Sequence, residues 1–114
     1  MTEITVDHIL NTVSGWVKNK QFMSAHDWVN TAQKLNVLIG EEHDILFNLQ
    51  QQIALVKNSC ISEGKSVAAC KVMVETSDTY KTMRKQEAKI KQVEEMIRIA
   101  KLQARLKDNE YNNN

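Results

Sequence analysis

The chain has 114 residues, and its 15 Lys and Arg nearly balance its 14 Asp and Glu, so the formal net charge of +1 does not by itself indicate a polyanionic partner. No apolar run approaches the roughly 20 residues that a membrane-spanning helix needs, so the sequence does not predict such a helix. Proline is absent, only three glycines occur and aromatic residues make up 5%, a composition typical of helical proteins.

The first predicted helix covers about residues 5–18, and the second covers about residues 24–61. Apolar residues of the first recur at helical spacing, namely Val6, Ile9, Leu10, Val13, Trp16 and Val17. Ser24 is suited to the N-cap of the second helix, because Asp27 follows three residues later, near the positive end of the helix dipole.

A seven-residue apolar repeat is the main feature of the second helix. One position of the repeat holds Trp28, Leu35, Glu42, Leu49 and Val56, and the other holds Ala32, Ile39, Leu46, Ile53 and Cys60. This spacing keeps one stripe facing a partner helix, so it predicts a long helix that packs as in a coiled coil.

The third predicted helix covers about residues 66–107 and follows a turn at residues 62–66. Gly64 is suited to a left-handed cap, and Ser66 to the next N-cap. The seam of this helix, at spacings of three and four residues, consists of Ala69, Val72, Thr76, Thr79, Met83, Gln86, Ile90, Val93, Ile97, Ala100 and Ala104. Residues 75–79 are polar, so a kink or a local break can occur there. We expect residues 108–114 to be a disordered tail.

These elements predict an all-α protein with a single domain at residues 1–107, in which the short first helix packs on a long antiparallel hairpin. An apolar stripe would stay exposed on the second helix, and the end of the third helix is apolar on more than one face. Such surfaces usually mark interfaces, so we expect a homo-oligomer. The expected interface residues are Phe47, Ala54, Ile61, Met96, Ile99, Leu102 and Leu106.

Residues that could carry chemistry are few. Cys60 and Cys70 lie symmetrically about the turn and could form a bridge or supply two metal ligands, but we expect reduced thiols packed as small apolar side chains. The cluster at residues 41–44 lacks the repeated Glu-x-x-His pattern of metal-binding bundles, and His8 and His26 stand alone. We therefore expect no catalytic residue, no metal site and no cofactor.

Basic residues are concentrated late in the chain. Residues 63–107 contain eleven Lys or Arg against six acids. The acids of residues 41–44 would lie opposite residues 84–89 and could neutralise Arg84, Lys85 and Lys89. The remaining basic face could follow a phosphate backbone, with a tyrosine to stack on a base. The residues expected to bind nucleic acid are Tyr80, Lys81, Lys91, Arg98, Lys101 and Arg105.

The segment Val74-Glu75-Thr76-Ser77-x-x-Tyr80, followed by a helix ending Ile97-Arg98-Ile99-Ala100-Lys101, resembles the C-terminal part of UvsY-type phage recombination mediators. It is also similar to small helical proteins of tailed phages. The resemblance, over residues 74–107, implies a cytoplasmic helical oligomer that binds single-stranded DNA and assists a recombinase.

Two functions follow as expectations. The first is a non-enzymatic, phage-type accessory protein that binds single-stranded nucleic acid through a basic helix face, as in recombination or replication. The alternative is a protein-binding coiled-coil adaptor, or an inhibitor of a host protein, with no nucleic-acid activity. Because the N-terminus begins acidic and lacks the pattern of a secretory signal, we expect a cytoplasmic location and no membrane partner.

Overall fold

The computed structural model describes residues 4–19 and 21–112, and for residues 110–112 it describes the backbone only. All secondary structure in these ranges is helical, so the predicted all-α class is confirmed. The helices are α1 (Val6–Lys18), α2 (Ala25–Ser62), α3 (Val67–Glu75) and α4 (Asp78–Asn112). None of the described helices combines the length and apolar content needed to cross a membrane.

The N-terminus of α2 is closed by the predicted pair of residues. The backbone amide and the hydroxyl of Ser24 donate to Asp27 Oδ2 at 2.9 and 2.8 Å, and the Asp27 amide donates to Ser24 Oγ at 3.2 Å. The hydrogen bonds from Ser24 hold the pKa of Asp27 below its ordinary value, and the one from the Ser24 backbone amide contributes most. This reciprocal arrangement is a capping box, so the start of α2 was predictable from local sequence.

The turn between α2 and α3 also follows the sequence prediction. Gly64 has a φ of +88°, in the left-handed region that favours glycine. Ser66 caps α3, because its Oγ accepts a hydrogen bond from the Ala69 amide at 3.1 Å.

The structure divides the helix expected at residues 66–107 into α3 and α4, with Thr76 and Ser77 between them. The break lies within residues 75–79, where the sequence allowed a kink or a local break. Ser77 Oγ donates to the Val74 carbonyl at 2.6 Å and accepts from the Tyr80 amide at 3.2 Å. Thr76 Oγ1 donates to the Val72 carbonyl at 2.9 Å. These hydroxyl groups bond to the backbone locally and compete with the helical pattern, which explains a break at the polar segment.

The C-terminal end differs from the prediction as well. Residues 108–112 belong to α4 and do not form the disordered tail that we expected. Residues 113 and 114 of that tail, like residues 1–3 of the predicted domain, lie outside the described residues.

The chain divides into two compact units. Unit 1 comprises Met1–Gly40 with Lys91–Asn114, and unit 2 comprises Glu41–Ile90. Two helices, α2 and α4, contribute residues to both units. The division therefore does not decide whether the chain forms one domain, and the single domain stays a prediction.

Unit 1 holds the main hydrophobic core, to which α1, the first part of α2 and the last part of α4 contribute. Leu35, Val93 and Ala100 have no exposed surface. The Trp16 and Trp28 rings pack edge to face, with centroids 5.4 Å apart, and so join α1 to α2. The other buried members are Val6, Ile9, Val13, Ala32, Ile97 and Ala104.

Unit 2 buries much less apolar surface. Cys60, Cys70, Val74 and Ile90 are its buried apolar residues, and Val56, which the heptad pattern places in the seam, is 45% exposed. The predicted seam residues Ala69 and Val72 are exposed, so the buried face of α3 carries Cys70 and Val74 instead.

Candidate functional site

Four of the predicted nucleic-acid contacts lie together on α4 in unit 1. Lys91, Arg98 and Arg105 are seven residues apart, about two helical turns, and Lys101 falls between the last two. All four side chains are exposed. They therefore present one cationic stripe, which we call the basic face.

Acidic residues are interleaved with this basic face. Arg98 Nη2 lies 2.5 Å from Glu95 Oε1, and Arg98 Nε donates to Glu95 Oε2 at 3.1 Å. This paired contact lowers the pKa of Glu95 and raises that of Arg98, chiefly through the side-chain hydrogen bonds. Glu94 is exposed on the same helix. The basic face thus has a smaller excess of charge than its four cations alone suggest.

The other two predicted contacts, Tyr80 and Lys81, belong to unit 2. Lys81 is exposed, whereas Tyr80 is half-buried at the start of α4. The Tyr80 amide bonds to Ser77, so the motif that carries the sequence resemblance has a local capping role. The structure therefore does not gather the six residues into one described site.

The acidic residues 41–44 neutralise only some of the three cations, Arg84, Lys85 and Lys89, that they were expected to neutralise. Glu42 is 8% exposed and its Oε2 accepts from Gln86 Nε2 at 2.7 Å, while Lys89 Nζ lies 3.4 Å from Glu42 Oε1. Arg84 pairs instead with Glu87 on its own helix, at 3.4 Å. Glu42 thus serves as a buried polar contact between α2 and α4.

Exposed apolar side chains are the other feature of unit 2. Phe47 is 58% exposed, Ile61 is 39% exposed and Ala54 is exposed between them, seven residues from each. Six further large apolar side chains of unit 2 are exposed, and the sequence analysis did not assign them to an interface. They are Ile45, Leu55, Val56, Val67, Val72 and Met73. The richness of α3 in apolar residues on every side was the signal that could have found the last three. Phe47, Ala54 and Ile61 share one side of α2, whereas Ile45 and Val56 lie on the opposite side, so we call only Phe47, Ala54 and Ile61 the apolar surface of unit 2.

The four interface residues predicted in unit 1 divide into two pairs. Met96 packs against the core, and Ile99 lines an open groove with Met96, Val17 and Phe22. Leu102 and Leu106 are 42% and 45% exposed. Phe22 was not predicted as a surface residue, yet it is 80% exposed, and Lys107 Nζ lies 4.8 Å from the centre of its ring.

The cysteine expectation is overturned. Cys60 and Cys70 are joined by a disulfide and are not free thiols, with their Cα atoms 5.8 Å apart. The symmetric placement of the two residues about the turn was the signal for this pairing.

The histidines, His8, His26 and His43, are all exposed. Within the described part of the chain, no three His, Cys, Asp or Glu side chains are grouped so that they could hold a metal ion.

No family model matches the chain, and neither the curated proteins nor the solved structures gave a match.

Proposed function

We propose that this chain is a non-enzymatic assembly protein, which associates with copies of itself through the apolar surface of unit 2. The observation that carries the proposal is the exposure of three apolar residues in one stripe along α2. Exposed apolar residues are ordinary when isolated, but contiguous patches usually mark protein interfaces. Phe47, Ala54 and Ile61 share one side of α2, because they recur every seven residues.

Electrostatics favour a second copy as the partner. Residues 41–90 hold seven Lys or Arg and seven Asp or Glu, so the formal net charge of unit 2 is zero. Two copies of a neutral unit meet without long-range repulsion, and a net charge near zero promotes association. Capture of a different protein on the same surface is the alternative adaptor or inhibitor function.

The first test is Phe47→Glu, with sedimentation velocity measured over a hundredfold range of protein concentration. A charge placed in an apolar interface is expected to cost about 2 kcal/mol or more, which weakens self-association at least thirtyfold. Val37→Glu is the matched control, because Val37 is an exposed apolar residue of α2 in unit 1. A wild-type protein that stays monomeric at every concentration would exclude self-assembly and favour the adaptor or inhibitor.

We propose a second activity, the binding of single-stranded nucleic acid by the basic face. It is supported by the exposure of four cations at helical spacing in unit 1. The acids Glu94 and Glu95 oppose it, so a single copy would bind weakly. Assembly would place several basic faces on one strand, and avidity could then exceed the affinity of each.

This activity predicts a specific salt dependence. Four phosphate contacts on a single strand give a slope of log affinity against log salt of about −2.8, so affinity should fall about fiftyfold between roughly 50 and 200 mM salt. The measurement is fluorescence anisotropy with a labelled single strand. Replacing Lys91, Arg98 and Lys101 with glutamine should reduce the slope by about 2.

The matched control replaces Lys57, Lys65 and Lys71, three exposed lysines of unit 2, and makes the same change in charge. If both triple variants bind equally, the basic face is not the binding site. If the wild-type protein does not bind even at low salt, the second activity is excluded and assembly remains.

A further inference from the structure

The disulfide lies in unit 2, which has fewer buried apolar residues than unit 1. Cys60 and Cys70 are 2% and 0% exposed, and they lie near the end of α2 and in the middle of α3. The turn between them contains Gly64 and one weak ion pair, from Lys65 to Glu63 at 3.8 Å, whose side chains are more than half exposed.

The helix α3 has little else to keep it in place. It has nine residues, which is too short for a helix to be stable alone in water. Its buried residues are Cys70 and Val74, whereas Val67 and Val72 are each 61% exposed. Thr76 and Ser77 separate it from α4, so it does not gain the stability of that longer helix.

We propose that Cys60 and Cys70 are a reversible dithiol–disulfide pair, and that its redox state determines whether α3 stays docked on α2. The proposal is independent of assembly and of nucleic-acid binding. In a reducing compartment the pair is two thiols and α3 opens frequently, whereas oxidation fixes α3 in the position described.

The chemistry requires a second disulfide compound as the oxidant, such as glutathione disulfide. One cysteine thiolate attacks a glutathione sulfur, and one glutathione leaves as a thiol. The second cysteine thiolate then attacks the mixed disulfide, which forms the Cys60–Cys70 bond and releases the second glutathione. Two protein thiols lose two electrons and two protons, and glutathione disulfide gains them.

A reagent can approach from one side of the pair. Cys60 lines an open groove with Leu55, Val56, Ser59 and Met73. Because the sulfur atoms themselves are buried, exchange depends on transient opening of the short α3. The pair should therefore react more slowly than an exposed thiol, but it should react without global unfolding.

The size of the effect follows from the length of the loop. The two cysteines are ten residues apart, and closing a loop of this length restricts the open chain enough to favour the closed form about a hundredfold. Amide hydrogens of α3 should therefore exchange about a hundredfold faster after reduction. Amides of Val93–Ala104 in the core of unit 1 should not change.

The experiment compares the full-length protein in glutathione disulfide with the same protein in a phosphine reductant. Intact mass after alkylation reports the thiols, and hydrogen exchange by mass spectrometry reports α3. In glutathione disulfide, the intact mass is expected to be two hydrogens below that of the reduced protein, without a glutathione adduct. The amides of α3 are expected to exchange more slowly in the oxidised protein than in the reduced protein.

The matched control replaces both cysteines with serine, and its exchange should be the same in the two buffers. Two results would overturn the proposal. One is a stable glutathione adduct, or unreacted thiols, in the oxidising buffer. The other is equal exchange of α3 in the oxidised and reduced wild-type protein.

Discussion

Glu42 shows how one residue can interrupt a pattern without disrupting the helix that carries it. It stands in the apolar seam of α2, where a lone carboxylate would be costly to bury. Gln86 donates through one nitrogen to both the side chain and the backbone carbonyl of Glu42, at 2.7 and 2.9 Å, and Lys89 supplies a positive charge. A polar residue at a seam position can fix the register of two helices, because other registers leave it without partners.

We predict that Gln86→Leu lowers the free energy of unfolding by about 1–3 kcal/mol, because it leaves a buried carboxylate oxygen without its donor. Urea denaturation followed by circular dichroism measures this change. Gln92→Leu is the matched control, since Gln92 is an exposed glutamine of the same helix, and its effect should stay within about 0.5 kcal/mol.

The double variant Glu42→Leu, Gln86→Leu should recover most of the lost stability, because two apolar groups replace both partners. An equal cost for Gln86→Leu and Gln92→Leu would contradict the structural role assigned to this contact.

At the scale of the element, the junction of α3 and α4 depends on two hydroxyl groups with unequal roles. Ser77 both donates to the end of α3 and accepts from the first turn of α4. Thr76 only donates to carbonyl groups of α3, Val72 and Met73. Loss of the serine therefore leaves a helix start without its cap, whereas loss of the threonine does not.

We predict that Ser77→Ala destabilises the protein by about 1 kcal/mol, the usual cost of an N-cap. Thr76→Ala, the adjacent control, should change stability by less than half of that amount. The measurement is again urea denaturation, with hydrogen exchange at the Tyr80 amide as a local readout. Equal effects of the two substitutions would show that Ser77 does not act as a cap.

Over the whole chain, the sequence predicted what depends on local pattern and missed what depends on pairing between elements. The heptad repeat predicted the buried Trp28, Ala32 and Leu35, and the capping residues Ser24 and Ser66 took their predicted roles. The periodicity of residues 66–107 did not reveal that α3 buries Cys70, because its phase is set by a covalent bond to another helix.

The same contrast between local pattern and pairing of elements applies to the candidate sites. Exposure of Lys91 and Arg105 follows from charge and helical spacing alone. The pairing of Arg98 with Glu95 is also local, because the two residues stand three apart on α4, although the sequence analysis did not include it. The exposure of Val56 and Val72, in contrast, depends on packing between helices, which no single segment encodes. Sequence reasoning therefore found the cations but overestimated how many residues unit 2 can bury.

The two residues between α3 and α4 also bear on how this chain can change in evolution. An insertion of one residue inside a continuous helix turns everything beyond it by about 100°, and so moves a buried face into solvent. Here Cys60 fixes the phase of α3 and the core of unit 1 fixes the phase of the end of α4. An insertion at this junction that keeps Ser77 would leave both phases unchanged, so the lineage can gain a residue here without moving a buried face into solvent.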